Sequence, residues 1–227
     1  MSVLRRVWVT RARPGADRTA ERLTALGYTP LVVPVLAIRP GDARPDLTGV
    51  QALAFSSRNA VTVFAGRFGL GHVPVFAVGD ATAAAAREAG FDDVRSAGGD
   101  LQALAALIRA QGAGLSILHP RAAEPAGDLA ALVGDAARVT SLAVYEAVET
   151  GAAAPGDWDA VLIHSPRAGQ VVAARLSAEA VGGRIAAALS PAAARPLAVA
   201  GLAEIRIAAA PTEDALLAAL GKSGANV

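Results

Sequence analysis

WVTRARPGADRTAERLTALGYTPLVVPVLAI, residues 8–38, decides the fold, because the chain carries its outline twice. The second copy is ILHPRAAEPAGDLAALVGDAARVTSLAVYEA, residues 117–147. Each copy opens on a short apolar run, crosses a polar turn, continues as an Ala/Leu-rich stretch and returns to an apolar run. Further along, AFSSRNAV (54–61) lies over LIHSPRAGQVV (162–172), with Ser57 on Ser165. FAVGDATAAAAREAGFDDVRSAGGDLQALAAL (76–107) lies over AALSPAAARPLAVAGLAEIRIAAAPTEDALLAAL (187–220), with Gly90 on Gly201 and Leu107 on Leu220. Ala-rich helices match one another cheaply, so the strand-to-turn matches carry the weight. A repeat of this length predicts a duplicated unit, hence two similar α/β lobes with a cleft between them.

The local signals agree. RVWVT (6–10), PLVVPVL (30–36), ALAF (52–55), VFAV (75–78), SILH (116–119), RVTSLAV (138–144), AVLIH (160–164) and IRIAA (205–209) read as strands. GADRTAERLTALG (15–27) reads as a helix, with Leu23 and Leu26 on one face and Gly27 as its stop. Strands alternating with helices at this spacing imply βαβ units and mainly parallel sheets. Two lobe boundaries fit. One is a sequential cut near residue 113. The other is a swap, in which the first βαβ unit joins the far end of the chain. VLAIRPGDARPDL (35–47) and YEAVETGAAAPGDW (145–158) are the Pro/Gly/Ala-rich connections a swap needs.

Composition narrows the function. The chain has 227 residues and is 53% hydrophobic, enough for a sizeable core. A net charge of +1 argues against a nucleic-acid groove or a polybasic membrane patch. Lys222 is the only lysine, so the positive side is arginine, whose fork matches carboxylates and phosphates. The absence of cysteine removes disulfides, thiolate catalysis and cysteine metal sites, and fits a reducing compartment. MSVLRRVWVTRAR reads as no signal peptide, and the Ala-rich stretch near 185–201 is broken by Pro191, Arg195 and Pro196. A cytoplasmic location is the expectation.

In an open parallel sheet, ligands bind beyond the carboxyl ends of the strands. The turns expected there are Thr10-Arg11, Ser56-Ser57, Gly79-Asp80, Gly99-Asp100, His119-Pro120, Ser165-Pro166, Ser190-Pro191 and Pro211-Thr212. Ser, Thr and Asp cap helices and Pro suits the first helical position, so each turn taken alone is a helix start and needs no ligand. As a set lining one cleft, with Arg11, Arg58, Arg121 and Arg167, they suit a polyanion, because helix N-termini hold anions. No GxxxxGK[ST], GxGxxG or GxSxG motif is present. His72, His119 and His164 are far apart, and no metal site is expected. Tyr28 reads as packing. Tyr145 ends an apolar strand, where a phenol can pack at an interface or donate a proton.

The stretches VTRARPGA (9–16), FSSRNAV (55–61), AVGDATAAAAREAGF (77–91), LHPRAAEPAGDLAALV (118–133), LAVYEAV (142–148), DAVLIHSPRAGQVV (159–172) and APTEDALLAAL (210–220) together resemble the uroporphyrinogen-III synthase family. The resemblance implies two α/β lobes joined by a two-stranded connector. It selects the swap, with one lobe from 1–36 plus 149–227 and the other from 37–148. It implies a hydro-lyase of tetrapyrrole biosynthesis that cyclises hydroxymethylbilane to uroporphyrinogen III, inverting ring D and releasing water. No metal or cofactor is implied. The expected substrate-binding residues are Thr10, Arg11, Ser56, Ser57, Asn59, Gly79, Thr82, Arg121, Ser165 and Ser190, with Tyr145 as the acid. A monomer is expected, with transient hand-over of substrate from hydroxymethylbilane synthase and no nucleic-acid or membrane partner. The competing readings are a non-catalytic two-lobed small-molecule-binding protein and a glycosyl- or nucleotide-transferring enzyme. The last wants a nucleotide loop that is not seen here.

Overall fold

The computed structural model describes residues 6–68, 72–176 and 181–221. Lys222 and the first five residues of the amino-terminal stretch lie outside them. The chain divides into two compact units, Met1–Ala37 with Val148–Val227, and Ile38–Ala147.

The first unit holds strands β1 (Arg6–Val9) and β2 (Thr29–Val32). The chain then enters the second unit, which contains β3 (Leu36–Pro40), β4 (Ala52–Phe55), β5 (Val75–Ala77), β6 (Val94–Ser96), β7 (Ser116–Ala122) and β8 (Arg138–Glu149) in its sheet. It returns to the first unit for β9 (Ala160–Ile163), β10 (Ile185–Ala188) and β11 (Glu204–Ile207). The five-stranded sheet runs β11-β10-β9-β1-β2, with every neighbour parallel. The six-stranded sheet runs β3-β8-β7-β4-β5-β6, and its pairs from β8 to β6 are parallel. Laying β1, β2, β9, β10 and β11 over β7, β8, β4, β5 and β6 gives the same spatial order. The duplication read from the sequence is thus a duplication of topology. The order reverses between β1 and β9, and between β7 and β4. Ligands of open α/β sheets bind at such reversals.

The strand cores are fully buried, as in Ala52–Phe55 and Ala160–Ile163, because helices cover both faces of a parallel sheet. The helices are α1 (Gly15–Ala25), α2 (Arg58–Phe68), α3 (Asp80–Glu88), α4 (Leu101–Gln111), α5 (Leu129–Val133), α6 (Pro166–Arg175), α7 (Pro191–Ala194) and α8 (Glu213–Ala218). In the second unit, Leu53 and Phe55 pack with Phe64 of α2 and Ala86 of α3. The alternate residues Ala52 and Ala54 pack with Leu104 and Ile108 of α4 and Leu129 of α5. Each large buried side chain contributes about 1.5–3 kcal/mol. In the first unit, Val7 and Val9 meet Leu23 of α1 and Leu216 of α8. Trp8, between them, turns to the other face and meets Trp158 at 5.7 Å.

Helix starts follow the expected chemistry. Asp100, Asp128, Ser165, Ser190 and Thr212 each accept the N–H three residues on. Each such cap contributes about 1 kcal/mol.

Four expectations need correction. Thr10-Arg11 is not a helix start, since α1 begins at Gly15 and the Thr10 hydroxyl turns to Leu162 O. PLVVPVL is not one strand: the chain leaves the first sheet at Val32 and joins the second at Leu36. Pro34 has no N–H to continue a ladder, and Val35 N–H donates to Thr10 O at 2.9 Å instead. His119-Pro120 is not a helix start, since β7 runs through both and the next helix waits for Asp128. β4 pairs with β7 only at Ile117 and Leu118. Beyond that point β7 pairs with β8 alone and is an edge on its β4 side, and edges tolerate a proline. Finally, β6 and β10 are strands that the pattern of β-branched runs did not show.

Candidate functional site

In the second unit, β4 ends at Phe55 and α2 begins at Arg58, so FSSRNAV is a strand-to-helix turn at the reversal between β4 and β7. Ser57 Oγ accepts the Ala60 N–H at 3.1 Å and lies 2.9 Å from the Tyr145 hydroxyl. Ser56 Oγ lies 2.9 Å from Nε2 of His119, whose Nδ1 is 3.4 Å from Ser141 Oγ. A bulge in β8 helps to build this arrangement. Arg121 opposes Ala143 but Ala122 opposes Tyr145, so Val144 is the extra residue. Tyr145 thereby takes the place that an unbroken register gives to Val144.

Tyr145 is buried, and burial pushes its phenol above the usual value, against the hydrogen bonds of Ser57 and Asn59. The group therefore keeps its proton at neutral pH. Ser57 already accepts from Ala60, so its own proton is free to point at the Tyr145 oxygen. When it does, the phenol proton is left for another acceptor; Ser57 Oγ also has a second lone pair with which it can accept from Tyr145 instead. His119 is 1% exposed. Burial, then the Arg121 charge, lowers its pKa to about 4, so the ring is neutral at physiological pH. Arg121 turns its guanidinium back on the Ala122 and Ala123 carbonyls at 2.7 and 3.1 Å. Gly79 precedes α3, and its carbonyl accepts from Thr82 N–H at 3.0 Å and Ala83 N–H at 2.9 Å; Thr82 is buried.

In the first unit, Thr10 is fully buried and its hydroxyl donates to Leu162 O at 2.6 Å. Arg11 donates to Glu213 Oε2 at 2.8 Å, and Thr19 Oγ1 donates to Glu213 Oε1 at 2.5 Å. His164 Nε2 is 3.2 Å from Glu213 Oε2. Burial alone pushes the Glu213 carboxyl up, but His164, Thr19 and Arg11 together outweigh it and hold the carboxyl at about 2. Ser165 and Ser190 spend their hydroxyls on the Ala168 and Ala193 N–H groups, at 3.2 and 3.3 Å.

The fold thus brings Ser56, Ser57, Asn59 and Tyr145 together and adds His119 and Ser141. Thr10, Arg11, Ser165 and Ser190 lie in the other unit with their side chains engaged. His119 was visible in the sequence as a strand-end histidine. Ser141 was not singled out, and Glu213 gave only the ordinary signal of an acid in a helix's first turn. A groove of about 530 Å³ lined by Leu26, Tyr28, Leu217 and Ala218 lies beside the amino end of β2, away from the strand ends that carry these turns. Tyr28 is buried, as packing predicts, and donates to Gly221 O at 2.6 Å. Among the described residues, no group of three or more His, Asp or Glu side chains could hold a metal ion. Nor is any helix among them long and apolar enough to cross a membrane.

Residues 17–218 match the protein family described as uroporphyrinogen-III synthase HemD. The chain belongs to the uroporphyrinogen-III synthase family. Solved members share its fold. The uroporphyrinogen-III synthetase of Helicobacter pylori superposes with a TM-score of 0.67 at 19% identity, over 95% of this chain and 97% of that one. A mutant uroporphyrinogen III synthase from the extremely thermophilic bacterium Thermus thermophilus gives a TM-score of 0.57 at 18% identity, over 96% and 98%. No curated protein matches the chain significantly. The two mostly parallel sheets are those of this synthase fold, and the family is one of enzymes.

Proposed function

We propose that this chain is a uroporphyrinogen-III synthase, a hydro-lyase that cyclises hydroxymethylbilane with inversion of ring D and loss of water. The observation that carries the proposal is the family match over residues 17–218. The family match does not favour a non-catalytic binding protein.

The chemistry asks little of side chains. Electron-rich pyrroles expel the terminal hydroxyl once it is protonated. Tyr145 supplies that proton: the C–O bond breaks, water leaves, and the pyrrole nitrogen electrons stabilise the cation. The substituted carbon of ring D attacks first, giving the spiro intermediate implied by the family's reaction; the older bond from that carbon to the ring C methylene then breaks, and the freed methylene bonds the unsubstituted carbon of ring D, which inverts the ring. The proton released when the rings regain aromaticity returns to the phenolate. What the protein adds is orientation and the exclusion of the competing closure. Ser57 and Asn59 hold the phenol, which leaves carboxylate recognition to the first-turn N–H groups of α2 and α3, beside Ser56, Gly79 and Thr82. Backbone recognition of this kind suits acetate and propionate groups, because helix N-termini carry partial positive charge. Ser165 and Ser190, at the starts of α6 and α7, are assigned the same class of contact, and Arg121 is assigned a charge contact made when its guanidinium leaves the Ala122 and Ala123 carbonyls. A cytoplasmic monomer, receiving its labile substrate from hydroxymethylbilane synthase, completes the proposal.

The test is the product isomer. Hydroxymethylbilane is made in place by the preceding deaminase, the product is oxidised, and its isomers are separated by chromatography. Mostly type III supports the assignment. Type I alone, as without protein, refutes it.

A further inference from the structure

The first unit carries a polar cluster that the proposed reaction leaves unused. Side chains from four parts of the chain meet on one carboxylate. Arg11 comes from the turn after β1, Thr19 from α1, His164 from the turn after β9, and Glu213 from the start of α8. The Arg11 and Glu213 side chains are 17% and 18% exposed, and His164 is 9% exposed. The backbone makes room for this. A Cβ on Gly15 would lie 2.6 Å from Arg11 Nε, so the guanidinium lies across a bare glycine.

The position matters as much as the contacts. β1 and β9 are the strands between which the sheet order reverses, the place where this kind of sheet takes a ligand. The second unit has other residues at the corresponding place. Its reversal lies between β7 and β4 and holds His119 and Ser56. Asp100 caps α4 as Thr212 caps α8, so Leu101 stands where the first unit has Glu213.

We propose that Arg11, Thr19 and His164 form a carboxylate-binding site, and that Glu213 is its built-in ligand. The reversal of the first unit is then filled by the chain's own side chain. The ligand class follows from the donors. A guanidinium fork, a hydroxyl and an imidazole N–H around two oxygens suit a small alkyl carboxylate such as acetate or propionate. This rests on the cluster alone and not on the proposed reaction, so its test contains no tetrapyrrole.

The test empties the site with Glu213→Ala and offers acetate in place of the lost side chain. In chloride, Tm falls by roughly 5–10 °C, because three donors lose the Glu213 carboxylate. About 100 mM acetate at matched ionic strength then restores roughly 3–5 °C, for a Kd on the order of 10 mM. The wild type, its site filled, shows no such gain. Glu213→Gln, which fills the space with a neutral amide, gains less than Glu213→Ala. Equal responses to acetate and chloride overturn the proposal, as does a gain in Glu213→Gln as large as that in Glu213→Ala. Should Glu213→Ala not fold in chloride, refolding yield from urea is the readout. A higher yield in acetate supports the site, and equal yields overturn it. Isomer analysis of the wild type succeeds or fails separately.

Discussion

Replacing Tyr145 by Phe removes one oxygen and leaves the ring in place. The ring packs in the core around Phe55 and Phe64, and that packing survives. The lost contacts are the 2.9 Å bond with Ser57 and the bond with Asn59. Ser57 Oγ still accepts the Ala60 N–H, and Ser57 and Asn59 are half-buried, so the donors they had turned to the phenol can turn to water. The stability cost is then that of half-exposed neutral hydrogen bonds, about 0.5–1.5 kcal/mol. That lowers Tm by only about 2–5 °C in a chain of this size. The catalytic cost is of a different order. A positioned general acid contributes about 10²–10⁴-fold, and the electron-rich substrate puts this case near 10². The assay couples the variant to the preceding deaminase and measures the initial rate of type III formation, with type I as the internal measure of unguided closure. The expected result is kcat down about 10²-fold, a product shifted to type I, and a melting curve close to the wild type's. Type III formation within about threefold of wild type removes Tyr145 from the proton-donating role. A rate loss that tracks a large loss of stability makes it a packing residue.

Ser57→Ala loses both the cap and the bond to Tyr145. We expect about 1–2 kcal/mol of stability lost in urea unfolding and a much smaller fall in type III rate than Tyr145→Phe gives. A larger rate loss than in Tyr145→Phe contradicts the assignment. Gly169→Ala puts a Cβ 2.5 Å from the Ala193 carbonyl oxygen. That forces α6 away from α7 at about 1–3 kcal/mol, seen as a lower urea midpoint, and an unchanged midpoint refutes the close packing. His119 has its folded pKa depressed to about 4, below an unfolded value of about 6.5. Its contribution to stability is therefore present above pH ~6.5 and is lost as pH falls toward about 4. His119→Gln flattens the stability profile over that window, and an unaltered slope refutes the neutral buried ring.

The sequence made the repeat legible because buried parallel strands are short apolar runs and each is followed by a polar turn. ALAF, VFAV and AVLIH show this directly. IAAA, the core of β10, did not read as a strand because alanine favours helices; burial between β9 and β11 overrides that preference. VRS, at β6, is too short to show a period. Pro120 looked like a helix start because nothing local reveals that β4 has already parted from β7 there. FSSRNAV was legible as a turn, and Tyr145 as a strand-end phenol. Their bond was not, since 88 residues separate Ser57 from Tyr145. Glu213 was the hardest to see: its partners lie at positions 11, 19 and 164, and each has an ordinary local reason to be there.

The crossing of the chain at β3 and β8 sets an order of events at the ribosome. β1 and β2 emerge first, but β1 must wait for β9, which begins at Ala160, to fill its other side. At about 5–20 residues per second, the whole second unit is translated in the interval, on the order of 10 s. Its residues are continuous, so it can close while the amino-terminal βαβ segment stands by with an open apolar edge. β1 is made well before β9 and is among the last strands of its sheet to be fully paired. The vulnerable species in the cell is therefore a nascent chain with its middle folded and its beginning still unsatisfied. Destabilising changes in β9 or α6 prolong that exposure even though they lie far along the message.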